Sequence, residues 1–174
     1  MIAIIDYSLG NLYSLSRSLS FLELENKITG DAREIAAADR LILPGVGAFR
    51  DAIDKLTATG LIEPIRERVR AGVPLMGICL GMQLLFDVSY EYGEHRGLGL
   101  IPGEVCPILK DLEQPLKVPH IGWNALKLRR SSALTKYIAE GDHVYYVHSY
   151  YAKRCEESIV ATSEYGVTLP GIVE

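Results

Sequence analysis

One of the three cysteines stands where a thiol can do chemistry. Cys79 lies in Gly77-Ile78-Cys79-Leu80-Gly81, directly after Val73-Pro74-Leu75-Met76 and directly before Met82-Gln83-Leu84-Leu85. The run Leu75 to Ile78 has no polar side chain, the pattern of a parallel strand covered on both faces, and the residues after Cys79 carry a helical pattern. A thiol between strand and helix, with glycines two residues before and after it, has the layout of a nucleophile elbow, because the backbone can turn sharply with no side chain in the way. Backbone N–H groups at the start of a helix favour negative charge, so the spacing predicts a stabilised thiolate with a lowered pKa. Gln83 is four residues on, one turn up the same helix face, where its amide can bind a polar substrate beside the sulfur. A lone cysteine at an ordinary strand-to-helix turn is more often a buried core residue. The two glycines after an apolar strand favour the nucleophile.

A thiolate that attacks a carbonyl creates an oxyanion, which needs donors already in place. The backbone N–H of Leu80 is one candidate, and the Val46-Gly47 segment supplies others. Ile2 to Ile5 and Arg40 to Leu43 read as buried strands, the second stopping at Pro44-Gly45-Val46-Gly47-Ala48-Phe49. Leu24 to Thr29 is a weaker strand, and Arg33 to Asp39 a short helix. Helical spacing recurs at Leu12, Leu15, Leu19 and Leu22, from Phe49 to Leu56, and at Leu61, Ile62, Ile65 and Val69, before Gly72 ends the last run. Strands alternating with helices imply an α/β fold, an open and mostly parallel twisted sheet with right-handed crossovers and helices on both faces. Ligand crevices in such sheets lie outside the carboxyl ends of the strands, where both Gly45-Val46-Gly47 and Cys79 fall, so the two loops are expected to face each other. Gly10 stands alone in Asp6-Tyr7-Ser8-Leu9-Gly10-Asn11, which rules out a dinucleotide loop with its three spaced glycines.

Length and charge narrow the function classes. A chain of 174 residues is one domain by length. Its net charge of −4 gives no basic footprint for nucleic acid or anionic membrane. The odd, widely spaced set Cys79, Cys106 and Cys155 fits neither a disulfide framework nor a zinc site, and no metal or other cofactor is expected. A reducing cytoplasm suits it. The first apolar run ends at Asp6, too short for a signal peptide or a membrane span.

Past Asp87 the pattern changes to short pieces punctuated by Gly93, Gly97, Gly99 and Gly103, with short antiparallel strands in the C-terminal half. Val118-Pro119-His120-Ile121-Gly122-Trp123-Asn124 reads as a loop whose single Trp is either a core plug or an interface anchor. His143 to Tyr151 reads as one strand, and Ser158 to Ser163 with Val167 to Leu169 as a hairpin about Glu164-Tyr165-Gly166.

The segments Asp6-Tyr7-Ser8-Leu9-Gly10-Asn11-Leu12, Leu43-Pro44-Gly45-Val46-Gly47-Ala48-Phe49, Gly77-Ile78-Cys79-Leu80-Gly81-Met82-Gln83 and Pro119-His120-Ile121-Gly122-Trp123-Asn124 together resemble the class I glutamine amidotransferases. The cysteine elbow is shared by that whole class. Pro-Gly-Val-Gly and Pro-His-Ile-Gly-Trp-Asn are similar, more narrowly, to the glutaminase subunits of imidazole glycerol phosphate synthase. Ser8 departs from the family, which more often has Gly there. The resemblance runs from residue 2 to the last residue and implies a flavodoxin-like amidotransferase fold in a single type 1 domain. It implies that Cys79 attacks the side-chain amide of glutamine, forming a thioester and releasing ammonia, with Leu80, Val46 and Gly47 as oxyanion backbone. Gln83, Gly47 and the backbone of Ser149 and Tyr150 are then the substrate-binding positions. His120, Gly122, Trp123 and Asn124 are the positions that face a (β/α)8-barrel synthase subunit, which takes up the ammonia in a heterodimer.

The family's base and orienting carboxylate come from a His-Pro-Glu triplet that these residues do not contain. His95 and His120 fall in loop patterns, His143 begins a strand, and His148 is the histidine nearest the expected substrate backbone, where packing hydrogen bonds are its more usual role. The expectation is a subunit lacking its C-terminal segment and nearly inactive by itself, since loss of a triad member costs on the order of 10⁴ in rate. Two other readings stay open: a non-catalytic subunit that docks a partner without hydrolysing glutamine, and another cysteine-elbow α/β protein.

Overall fold

Four successive apolar residues suit the centre of a covered sheet, and β1 (Ile2–Ile5) is buried at all four. It pairs in parallel with β2 (Asn26–Thr29), Ile2 opposite Asn26, and with β3 (Arg40–Leu43), Ile2 opposite Arg40. β4 (Leu75–Gly77) adds to β3, giving the order β2-β1-β3-β4 with every pair parallel. Parallel neighbours require crossovers. α1 (Leu12–Phe21), α2 (Ala32–Ala37), and the pair α3 (Phe49–Ala58) and α4 (Ile62–Arg70) supply them. Asn11 and Asp31 cap the first two, each side chain accepting a backbone N–H of the first turn. α5 (Leu80–Gln83) follows β4, β5 (Phe86–Ser89) leads on, and β6 (His95–Arg96) is a two-residue strand. The computed structural model describes residues 1–174, which group into two compact units, 1–87 with 95–100 and 88–94 with 101–174.

Three expectations for the first unit need correction. β4 is an edge strand of its sheet and Met76 is 51% exposed, because an apolar run does not distinguish one covered face from two. No residue of α1 is buried, and Leu22 lies past its end as an exposed C-cap. The helix after Cys79 is a single turn: the carbonyls of Leu84 and Leu85 accept the N–H groups of Leu98 and Leu100 at 2.7 and 2.8 Å, so the returning segment takes the groups that would extend it.

In the second unit the strands pair antiparallel. β7 (Ile101–Pro107), β8 (His120–Ala125), β9 (Lys127–Leu128), β10 (His143–His148), β11 (Tyr150–Lys153), β12 (Ile159–Glu164) and β13 (Thr168–Val173) pair as β7 with β11, β8 with β10, and β12 between β9 and β13. The hairpin β12–β13 is where the sequence placed it. Pro170 lies within β13, tolerated because that strand is at the edge of its sheet. The expected loop at His120 to Asn124 is instead strand β8, and the single strand expected over His143 to Tyr151 is two, broken at Ser149 and paired to different partners. Along β8 the inward residues His120, Gly122 and Asn124 are polar or small while Ile121 and Trp123 point outward, an inversion of the usual pattern that hides the strand from a search for buried apolar alternation.

Phe49 opens α3 fully buried. Phe49→Ala is expected to cost about 3–5 kcal/mol, read as a lower urea midpoint at unchanged slope.

Candidate active site

The elbow forms because strand β3 and the turn at Cys79 approach more closely than side chains allow. Ile78 N–H donates to Leu43 O at 3.0 Å, drawing the turn onto the end of β3. A Cβ on Gly81 would lie 1.9 Å from Leu43 O, one on Gly77 2.6 Å from Met82 Cα, and one on Gly45 2.6 Å from Gly81 N. Glycine is the residue that fits at each. Cys79 itself sits at φ 55° and ψ −118°, a conformation that strains a residue with a side chain by about 1–3 kcal/mol and lifts the thiol into the open.

The expected meeting of the Gly45-Val46-Gly47 loop with the elbow is present at Gly45, which packs against Leu80 and Gly81. Behind them, the buried Tyr7 hydroxyl donates to Pro44 O at 2.7 Å, a pin that the sequence did not single out. Burial, and then the neighbouring Cys79, raise the phenol's pKa, so it remains a donor. Ser8 has φ 68°, the left-handed region, which accounts physically for a glycine preference at that position.

A one-turn helix has little macrodipole, so the expected stabilisation of a thiolate does not come from α5. The N–H groups of Gly81, Met82 and Gln83 donate to Ile78, Cys79 and Cys79 carbonyls, respectively. The Leu80 N–H is left unspent beside the sulfur-bearing residue, and those of Val46 and Gly47 are likewise not taken up. Gln83 is half-buried on the turn after Cys79. The other two thiols are unsuited to attack: burial pushes Cys106 and Cys155 up to about 11, Glu104 adding to the effect at Cys106.

Ser149, Tyr150 and the β8 positions belong to the second unit. Ser149 O accepts Ile108 N–H at 2.9 Å and Tyr150 O accepts His148 Nδ1–H at 2.8 Å, so both carbonyls are already in use. His148 Nε2 meets His120 Nδ1 at 3.0 Å, which engages both of its ring nitrogens in packing, as expected of a strand histidine. Of the four positions expected to face a partner, His120 is buried and Asn124 is hydrogen-bonded inward to Glu164 O, while Trp123 is 68% exposed. Opposite Trp123 is Tyr145, their rings 5.5 Å apart, and opposite Ile121 is Val147; all four side chains are exposed on one face of the β8–β10 ribbon. Tyr145 and Val147 were missed because their strand was read without its partner.

A family model described as glutamine amidotransferase class-I matches residues 3–174 and so runs through both units. The chain is 50% identical over 173 residues to imidazole glycerol phosphate synthase subunit HisH of Listeria monocytogenes serovar 1/2a, covering 99% of this chain and 82% of that one. It is 52% identical over 176 residues to the protein of the same name from Geobacillus thermodenitrificans, again covering 99% of this chain and 82% of the relative. A crystal structure of a glutamine amidotransferase superposes with a TM-score of 0.70 at 17% identity, covering 94% of this chain and 85% of the other, which speaks for the fold.

Two outcomes are expected. Gly81→Ala places a methyl far inside van der Waals contact with Leu43 O, so the variant should lose several kcal/mol of stability or fail to fold, on the scale of severe backbone clashes; a midpoint within ~0.5 kcal/mol of the parent's is the contrary result. Burial, with the His120 charge adding to it, holds His148 below the ordinary imidazole value of 6.5. The unfolded chain therefore takes up a proton at His148 that the folded chain resists, and stability should fall as pH drops through about 6.5 toward 5. His148→Gln should flatten that part of the curve in urea titrations at successive pH values.

Proposed function

The chain belongs to the class-I glutamine amidotransferases, and from that premise we propose that it hydrolyses glutamine to supply ammonia to imidazole glycerol phosphate synthase in histidine biosynthesis. The observation that carries the reading is the exposed Cys79 at φ 55° on a turn that only glycines at 77 and 81 permit, with the Leu80 N–H unspent beside it. We take residues 1–174 as one amidotransferase domain, a reading supported by the single family match across both units.

Cys79 Sγ attacks the side-chain amide carbon of glutamine. The S–C bond forms as the carbonyl electron pair moves to oxygen, and the oxyanion accepts from Leu80 N–H and the Val46-Gly47 backbone. Collapse expels the protonated amide nitrogen as ammonia and leaves a thioester, which water opens to glutamate and free thiol. Gln83 and the Gly47 backbone are the positions assigned to the amino-acid end of the substrate.

Proton transfer is the step for which these residues offer least. They contain no His-Pro-Glu triplet, and His148 is engaged at both ring nitrogens. By themselves they should turn glutamine over slowly, by on the order of 10⁴ below a complete triad.

The outward face of Ile121, Trp123, Tyr145 and Val147 supports docking of a (β/α)8-barrel synthase subunit as a heterodimer, since aromatic anchors flanked by aliphatic side chains are the usual centre of an interface. The substrate is glutamine, with no cofactor, nucleic acid or membrane involved, and the setting is the cytoplasm. No helix of the structure is long and apolar enough to cross a membrane.

The test mixes the chain with a barrel synthase subunit and its nucleotide ligand and measures ammonia release, beside Cys79→Ala and beside a version carrying a tail with the His-Pro-Glu triplet. Release that is restored by the tail and abolished in Cys79→Ala is the expected result; binding without release in any form would favour a docking subunit that does not hydrolyse glutamine. In the same mixtures Trp123→Ala should weaken association about tenfold or more, read by titration calorimetry.

A further inference from the structure

Three hydrogen bonds run in a row through the second unit, and their hydrogens do not add up for neutral side chains. His148 Nδ1 is 2.8 Å from Tyr150 O, His148 Nε2 is 3.0 Å from His120 Nδ1, and His120 Nε2 is 2.9 Å from Asn124 Oδ1. The Asn124 amide is oriented by its other end, because Nδ2 donates to Glu164 O at 2.9 Å. Both ends of the row are therefore acceptors. Each of the three contacts needs a hydrogen from a ring nitrogen, and two neutral imidazoles carry one each.

Every neutral arrangement leaves two lone pairs facing each other. If His148 donates to Tyr150 O and His120 to Asn124, the two rings confront each other with acceptors. If His120 donates to His148, its Nε2 lone pair faces Asn124 Oδ1. Turning the amide to cure that contact sets Oδ1 against the Glu164 carbonyl. A facing pair of this kind in a buried setting is costly.

We propose that the His120–His148 pair holds one proton beyond the neutral pair, with His120 as the imidazolium, and that this charge joins Asn124 of β8 to the Tyr150 carbonyl at the head of β11. The His120 ring stacks on Tyr165 at 3.8 Å and on Tyr146 at 5.0 Å between centroids, offering aromatic faces to a buried cation. From β10 the groups facing the pair are Tyr146 and His148 itself; from β8, Asn124; from the end of β12, the Glu164 carbonyl; and from the turn after it, Tyr165. The Glu164 carboxylate is directed elsewhere, to Lys127 and Thr168, so no carboxylate neutralises the pair. The Tyr165 ring stacks on His120 and not on His148, which places the extra proton on His120, and that charge opposes a second proton on His148. The inference stands on these contacts and does not depend on the proposed activity.

Ring ¹⁵N resonances of the histidine-labelled chain test it at about pH 7.5, a unit above the ordinary imidazole value of ~6.5. The expected spectrum shows His120 protonated at both ring nitrogens and His148 protonated at Nδ1 alone. Two neutral rings at that pH overturn the proposal. Asn124→Leu removes the third acceptor, so both rings should then be neutral at the same pH, with His95 and His143 resonances unchanged as reporters of the fold. Retention of the extra proton in a folded Asn124→Leu chain would overturn the part assigned to Asn124. The unsubstituted chain decides the main point even if that variant does not fold.

Discussion

The first unit depends on one close approach, that of the Leu43 carbonyl to the backbone at Gly81. The oxygen accepts the Ile78 N–H and occupies the space where a side chain at residue 81 would begin. Once β3 and the elbow are this close, the peptide between Gly77 and Gly81 has little room, and Cys79 is driven into a conformation that most residues avoid. The strain is small beside the burial of β1 and β3, whose apolar side chains fix where the carboxyl ends of the strands lie. The exposed position of the Cys79 thiol is thus a by-product of sheet packing. The same crowding leaves the Leu80 N–H without an internal acceptor, since the turn is too tight to supply one, and Tyr7 holds the adjoining Pro44-Gly45 segment by a buried hydroxyl.

The second unit solves a different problem, how a two-stranded ribbon can be polar within and apolar without. Outward, Ile121, Trp123, Tyr145 and Val147 stand exposed side by side. Inward, the ribbon has to satisfy two imidazoles, an amide and a phenol. Tyr146 donates to Ser163, whose hydroxyl in turn donates to the Ala125 carbonyl, and Asn124 reaches the Glu164 carbonyl, so the ribbon is fastened to β12 by polar side chains. Such networks hold one geometry firmly when every member is satisfied and poorly when one is not.

Much of the first unit was legible in the sequence because its signals are the ones that burial writes most plainly. β1 and β3 are uninterrupted apolar runs, α3 and α4 carry clear helical spacing, and the glycines about Cys79 announce a close approach. What escaped reading depended on partners distant in the chain. The end of α5 is set by Leu98 and Leu100, the exposure of Met76 by the position of β4 at an edge, and the pin on Pro44 by a tyrosine in another loop. β8 escaped for a different reason, since its buried face is made of His, Gly and Asn and resembles a loop in composition. Ser149 gave no sign of breaking a strand, because the change of partner from β8 to β7 lies in the pairing and not in the residue.

The strict alternation along β8 sets what kinds of change the segment can absorb over evolutionary time. Exchanging one outward side chain for another of similar bulk leaves the inner network untouched, so the two faces can drift separately. Insertion or loss of a single residue between His120 and Trp123 moves every following side chain to the opposite face at once, sending the indole into the polar interior and the Asn124 amide into solvent. The spacing between these residues is therefore more tightly constrained than any one outward identity within it.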